Sequence, residues 1–317
     1  MKNFEINEES LFEIDNALEG QDLKKYDLEI EQIVNNLWTG VGEFEEILKP
    51  FFTIYLNNQL LPSLYINYLS LVKLEAKYDT INFKASTSII DIIGKKLNFK
   101  LDANRKNYDA EFHLNSSYFF VSNPRASGSL LRRILRNIKQ KVSLHWQVFR
   151  GIDVMYMNAG KLIHDFSLIP NSLNASYIPY TKSKKEVPDI ENIKDVVKKN
   201  INSMDLSIPS DLIIELLDQN VFKYLLLTFN RIFVLSEFIE KHKVKLVISS
   251  AATNDAFLCL LAASRLTKVE SLVISHGMPG TFNPWLNGYC TYQGTLNNFE
   301  KKYDNTKQIH FKASWFG

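Results

Sequence analysis

The stretch "KLVISSAATNDAFLCLLAASRLTKVESLVISHGMPG", Lys245 to Gly280, decides the fold. Two short apolar runs, "KLVISS" and "SLVIS", read as buried strands. The longer "NDAFLCLLAASRLTK" between them reads as a helix made of small and apolar residues. Strand, helix and strand in that order call for a parallel pair joined by a right-handed crossover. The second strand then exits on His276-Gly277, and a buried strand has no structural need of an ionisable side chain there.

The alternation continues outward. Upstream, Ser210 to Lys241 is a long helical region; downstream come a strand "YCTYQG", a helix "TLNNFEKKY" and a last strand near "QIHFKAS" that holds His310. Further back, "TINFKAS" (Thr80 to Ser86), "TSIIDIIGKKL" (Thr87 to Leu97) and "NFKL" (Asn98 to Leu101) form one strand-helix-strand unit. The expectation is an α/β protein: a parallel sheet flanked by helices across residues 76–317, with a helical N-terminal region, residues 1–75, packed on it. In that region Leu28, Ile30, Ile33, Val34, Leu37 and Trp38 recur at helical spacing, and Pro50 and Pro62 should break or kink the stretch from Phe51 to Leu74.

Three segments depart from the regular order. Asp102 to Gly128 is loop-like, with a short strand at "SSYFFVS". "SLLRRILRNIKQKV" (Ser129 to Val142) is an amphipathic helix that places Leu131, Ile134, Leu135, Ile138 and Val142 on one face. After the strand "IDVMYMN", a lysine-rich connection within residues 171–209 is long enough to count as an insertion or mobile segment, its second half helical.

Composition excludes several classes. Lys and Arg number 37 against 35 Asp and Glu, a formal charge of +2, so nothing global points to nucleic acid as a partner. The two cysteines, Cys259 and Cys290, have neither zinc nor disulfide spacing, which fits a reducing, cytoplasmic setting. The acidic N-terminus has no signal-peptide pattern, and no run of about 18 apolar residues would span a membrane. No His-x-x-x-His pair, Gly-x-Ser-x-Gly elbow, phosphate-binding loop or Gly-x-Gly-x-x-Gly fingerprint occurs, so no metal or bound cofactor is expected. The chain stops at "KASWFG" as a strand finishes, as at a domain boundary or truncation.

In open parallel sheets ligands bind beyond the carboxyl ends of the strands. Two exits are readable. The first, "SSAATND", crowds Ser249, Ser250, Thr253, Asn254 and Asp255 into a loop and first helical turn. Either these cap a helix and complement its dipole, or their hydroxyls and free amides hold an anionic or sugar-like ligand. The second is "SHGMPG": histidine titrates near pH 6.5 and can exchange a proton with a ligand, while Gly277 and Gly280 let that ligand approach the main chain. The basic residues Arg132, Arg133, Arg136 and Lys139 either lie on a solvated helix face or meet an anionic membrane surface.

The segment from Leu212 to Gly317 resembles the closing third of the N-terminal, acceptor-side domain of bacterial GT-B glycosyltransferases that build capsule and lipopolysaccharide sugars. The match runs through "VKLVISS", "AFLCLLAASRL", "LVISHGMPG", "YCTYQGTLNNFEKKY" and "KQIHFKASWFG". The resemblance implies a Rossmann-like domain that is half of a two-domain architecture. Its C-terminal partner, absent from this sequence, would bind most of the nucleotide sugar, a co-substrate rather than a cofactor. His276 would then face the cleft, with Gly277 and Gly280 shaping the loop and Asn254 and Asp255 on the neighbouring exit; Asp255 and His276 both suit a catalytic base. The acceptor would be a surface polysaccharide or a lipid-linked glycan at the inner face of the cytoplasmic membrane. A nucleotide-sugar 2-epimerase or polyol-phosphate transferase shares the layout, and a non-catalytic binding domain is the third reading.

Overall fold

The computed structural model describes residues 3–7, 20–97, 99–107, 138, 141–142, 144–157, 166–249, 255–274, 290–295 and 307–310. It is an α/β protein whose sheets are parallel and flanked by helices. The chain divides into two compact units: Met1–Tyr118 with Asp189–Leu225, and Phe119–Pro188 with Leu226–Gly317.

The first unit carries a three-stranded sheet of β1 (Asn3–Ile6), β2 (Thr80–Ser86) and β3 (Lys100–Asn107), with β2 in the middle. Here the fold departs from the sequence expectation twice. The first 75 residues are not wholly helical, because "NFEI" forms β1 and pairs in parallel with β2, Asn3 opposite Thr80 and Ile6 opposite Phe83. The Thr80 to Leu101 strands also form a sheet of their own instead of joining the larger one. Strand partners in a parallel sheet come from distant sequence, so local pattern does not reveal them. The helix α4 (Ser88–Lys96) starts where the sequence says it should, because the Thr87 hydroxyl oxygen accepts from the Ile90 amide at 3.3 Å.

Around this sheet lie α1 (Gly20–Asn36), α2 (Glu45–Tyr55), α3 (Leu61–Glu75), α5 (Ile190–Asn202) and α6 (Ser210–Leu217). Pro62 stands in the first turn of α3, and because the backbone before it is already helical, the turn just upstream widens where the missing amide must be accommodated. The wide π-turn at Leu56–Leu60 sits just before it. Pro50, expected to interrupt the segment, lies within α2. Asp189 caps α5 by accepting from the amides of Glu191 and Asn192. At the end of α1 the Asn200 amide donates to the carbonyls of Asn36, Leu37 and Thr39, so α5 closes the C-terminus of α1.

A buried carboxylate locks the distant parts of this unit together. One oxygen of Glu29 on α1 accepts from the Tyr65 hydroxyl on α3 at 3.0 Å and from both the amide and hydroxyl of Ser207 at 2.8 Å. Burial, then the Glu29 charge and hydrogen bond, push the Tyr65 phenol well above the usual tyrosine range, so it remains a donor. Glu29→Ala leaves the buried Tyr65 hydroxyl and the two part-buried donors of Ser207 without their acceptor, and urea unfolding of this variant is expected to register a loss of about 2 kcal/mol.

The second unit holds a six-stranded sheet of β4 (Val154–Met157), β5 (Ser172–Asn174), β6 (Leu246–Ser249), β7 (Glu270–Ile274), β8 (Tyr292–Thr295) and β9 (Lys307–His310). All pairs are parallel, in the order β5-β4-β6-β7-β8-β9. Two helices belong with it: α7 (Lys223–His242), which ends in this unit, and α8 (Asp255–Leu266), which contacts β6 and β7. On one sheet face Tyr156, Ile248, Leu272 and Ile274 pack with Phe166. The alternate residues Met155, Val247 and Val273 are equally buried, so both faces are covered.

The lysine-rich connection is fixed by side chains of α7. Arg231 donates to the carbonyls of Ala175, Ile178 and Pro179. Asn230 donates to the Thr181 carbonyl and accepts from the Ser183 amide. Two turns on, a Glu237 oxygen accepts from the Ser183 hydroxyl at 2.6 Å and from the amides of Lys184 and Lys185 at 2.8 and 3.0 Å. Burial alone would push the Glu237 carboxyl up, but these donors and the Lys185 charge together hold it below the usual range.

Candidate functional site

Strand register lines up the ends of the sheet. Met157 pairs with Ser249, Ser249 with Val273, and Ile274 with Gly294, so β4, β6, β7 and β8 finish at one level along the carboxyl edge. With neighbouring strands about 4.8 Å apart, the exits of β4 and β7 are separated by roughly 10 Å.

The winding direction reverses on this edge. From β4 the chain crosses to β5 on one side, then returns to place β6 on the other side of β4. This is the order of flavodoxin-like open sheets extended by one strand, and it puts the topological switch point between β4 and β6. In open parallel sheets the switch point is where ligands bind, beyond the carboxyl ends of the strands.

The sequence-derived candidates map onto this frame as follows. Ser249 is the last residue of β6, fully buried and on the same face as Val247. Asp255 is the first residue of α8, in the turn whose free amides and positive dipole end favour a carboxylate or an anionic ligand. Ser250, Asn254, His276, Gly277 and Gly280 lie outside the described residues, as do Arg132, Arg133, Arg136 and Lys139. By position, Ser250 to Asn254 connect the end of β6 to α8, and His276 follows the last residue of β7 by two places.

Sequence reasoning identified the β6 and β7 exits and missed the exit of β4, which shares the switch point. The signal was present: the apolar "VMYM" runs straight into Asn158-Ala159-Gly160, a strand followed at once by a turn-forming residue and a glycine. What sequence lacked was the neighbour of β4.

The opposite, amino edge is tied by side chains. The Lys245 ammonium pairs with Asp153 at 2.7 Å, and the Asn171 amide donates to the other carboxylate oxygen at 2.9 Å. These two hydrogen bonds, Lys245 first, hold the Asp153 carboxyl below its usual range. Ser271 and Thr291 exchange bonds, each hydroxyl oxygen accepting from the other residue's amide, and the Tyr292 hydroxyl donates to Glu270. Five strands are thereby held at the edge away from the candidate site.

Two clefts of the second unit are lined by other residues. One, of about 830 Å³, lies between the loop 180–187 and Leu226, Leu227 and Asn230. The other, of about 630 Å³, lies beside the end of α7. There Phe238 packs on His242 with ring centroids 4.3 Å apart, and burial, then the Lys241 charge, lower the imidazole pKa. Neither cleft contains a residue from the strand exits.

Among the described residues no cluster of three or more His, Cys, Asp or Glu side chains could hold a metal ion. Cys259 and Cys290 are both buried. No family model matches the chain, and neither a curated protein nor a solved structure matches it.

Proposed function

We propose that the chain is the acceptor-side, Rossmann-like half of a GT-B sugar transferase, moving a sugar from a nucleotide-activated donor to a surface-polysaccharide or lipid-linked acceptor. The observation that carries this reading is the pairing of β6 with β7 in level register beside the switch point. It makes "SSAATND" and "SHGMPG" neighbouring exits on the ligand edge of one sheet.

The chemistry asked of this edge is modest. An acceptor hydroxyl loses its proton to a base within hydrogen-bond reach as its oxygen bonds to the anomeric carbon, while the bond from that carbon to the nucleotide phosphate breaks. His276 or Asp255 takes the proton, and Ser250 and Asn254 supply hydrogen bonds to acceptor hydroxyls. The second domain of the GT-B arrangement holds the donor.

Among the described residues no helix is long and apolar enough to cross a membrane. The reading places the reaction at the inner face of the cytoplasmic membrane, where sugar nucleotides and lipid-linked acceptors meet. A transfer assay on the full-length protein tests it, with radiolabelled sugar nucleotides and both acceptor classes. Label moving into acceptor is the expected result. Conversion of the free donor to its 2-epimer without acceptor, or transfer of a polyol phosphate from a CDP-linked donor to the acceptor with release of CMP, would replace the reading.

A further inference from the structure

Downstream of the segment expected to form a basic helix, residues 144–150 are also helical, as are 138, 141 and 142. Two faces of this segment can be told apart. Leu144 and Val148 are partly buried and line the cleft shared with Val234, Glu237, Phe238 and His242 of α7, and the exposed Lys141 and His145 also border it. The sequence reading grouped Ile138 and Val142 with the apolar face of the helix, yet these side chains are 53% and 54% exposed. Trp146 and Phe149 continue their row at 61% and 84% exposure. At spacings of four, four and three residues the four share one helical stripe. A row of large apolar side chains in water marks a surface that meets something apolar.

The charge carried by this stretch of sequence says what that partner is. From Arg125 to Arg150 the sequence holds seven Lys or Arg residues and no Asp or Glu. Lys141 and Arg150 are exposed, and the Arg150 guanidinium lies 5.7 Å from the centre of the Trp146 ring. Aromatic and branched apolar residues on one face, in a stretch of sequence that carries cations and no acidic residue, match a helix that lies in the plane of an anionic bilayer. A folded protein partner of that charge would need a dense acidic patch, whereas an anionic leaflet supplies it everywhere.

We infer that this helix docks the second unit onto an anionic lipid surface, inserting Trp146 and Phe149 among the headgroups while Lys141 and Arg150 meet lipid phosphates. The inference rests on exposure and charge and holds whether or not the chain belongs to a transferase.

The test is co-sedimentation of the full chain with large unilamellar vesicles of phosphatidylcholine alone or with 30% phosphatidylglycerol. Binding is expected only with the anionic vesicles and should weaken as salt rises. Trp146→Glu/Phe149→Glu is expected to weaken it at least tenfold, and Lys141→Glu/Arg150→Glu at least fivefold, with circular dichroism unchanged because all four side chains are exposed. Equal binding to both vesicle types, or an unaffected aromatic double variant, overturns the proposal. So does binding of a mixed-sequence oligonucleotide in place of vesicles, or a wild-type dimer that the aromatic double variant converts to monomer without changing vesicle binding.

Discussion

Arg231→Ala is expected to lower the stability of the second unit by about 4 kcal/mol, and its melting temperature by roughly 10 °C. Arg231 lies mid-helix in α7 at 2% exposure, flanked by the buried Ile232 and Phe233. Its guanidinium donates to Ile178 at 3.0 Å, Pro179 at 3.3 Å and Ala175 at 3.1 Å, and stacks 4.1 Å from the centre of the Tyr180 ring. Truncation removes the donor from three carbonyls, two of them in buried hydrogen bonds that each cost about 1 kcal/mol or more to lose, and opens a void where the side chain packed. Arg231→Lys should recover little, since one ammonium cannot reach three carbonyls in the fixed fork that arginine provides. The second readout is local: loss of the clamp should free residues 175–187, and limited trypsin digestion should cut at Lys182 or Lys184, both exposed, well before global unfolding. A variant that melts within about 2 °C of the wild type and resists trypsin equally would show that Glu237 and Asn230 hold the connection by themselves.

That connection illustrates where sequence reading stops. Its polarity and length mark it as a loop, and Lys182, Lys184 and Lys185 read as solvated charge. What fixes it is a carboxylate and a guanidinium one face away on a helix some 50 residues later, which is three-dimensional information. The same reasoning explains β1: four residues, "NFEI", are too few to show a period, and their partner β2 begins at Thr80. By contrast β2, α4, β6, α8 and β7 were legible to within a residue or two, because each has the right period and is bounded by a cap or a polar exit. β3 runs on to Asn107, well past "NFKL", since an edge strand does not require apolar alternation and "KLDANRKN" supplies charges that protect an edge.

The candidate site was legible in part for a related reason. Polar residues at the end of an apolar run announce a strand exit, so Ser249 and His276 stood out. Which exits are neighbours depends on strand order, and the return of the chain across β4 leaves no local trace. Exposure is likewise invisible to periodicity: Ile138 and Val142 have the spacing of a core face, and only the packed structure separates them from Leu144 and Val148.

His276→Ala in the full-length protein is expected to cut sugar transfer by about 10² to 10⁴-fold, the range for losing a positioned general base. The residue follows β7 by two places, and the buried Leu272, Val273 and Ile274 that hold the strand are untouched by the change. Melting behaviour should therefore stay at the wild-type value, separating lost chemistry from lost fold. The pH profile discriminates between the two candidate bases. A base must be deprotonated to accept the acceptor proton, so with a histidine the rate falls as pH drops below about 6.5, where the imidazole takes up its own proton. With Asp255 as base the rate should hold down to about pH 5, since an ordinary aspartate stays ionised above about 3.9. The expected wild-type limb is the histidine one, and Asp255→Asn should keep it while raising KM through weaker acceptor binding. Full transfer by His276→Ala would remove His276 from the site. Loss of activity in Asp255→Asn alone, together with a wild-type acid limb below pH 5, would move the base to the first turn of α8.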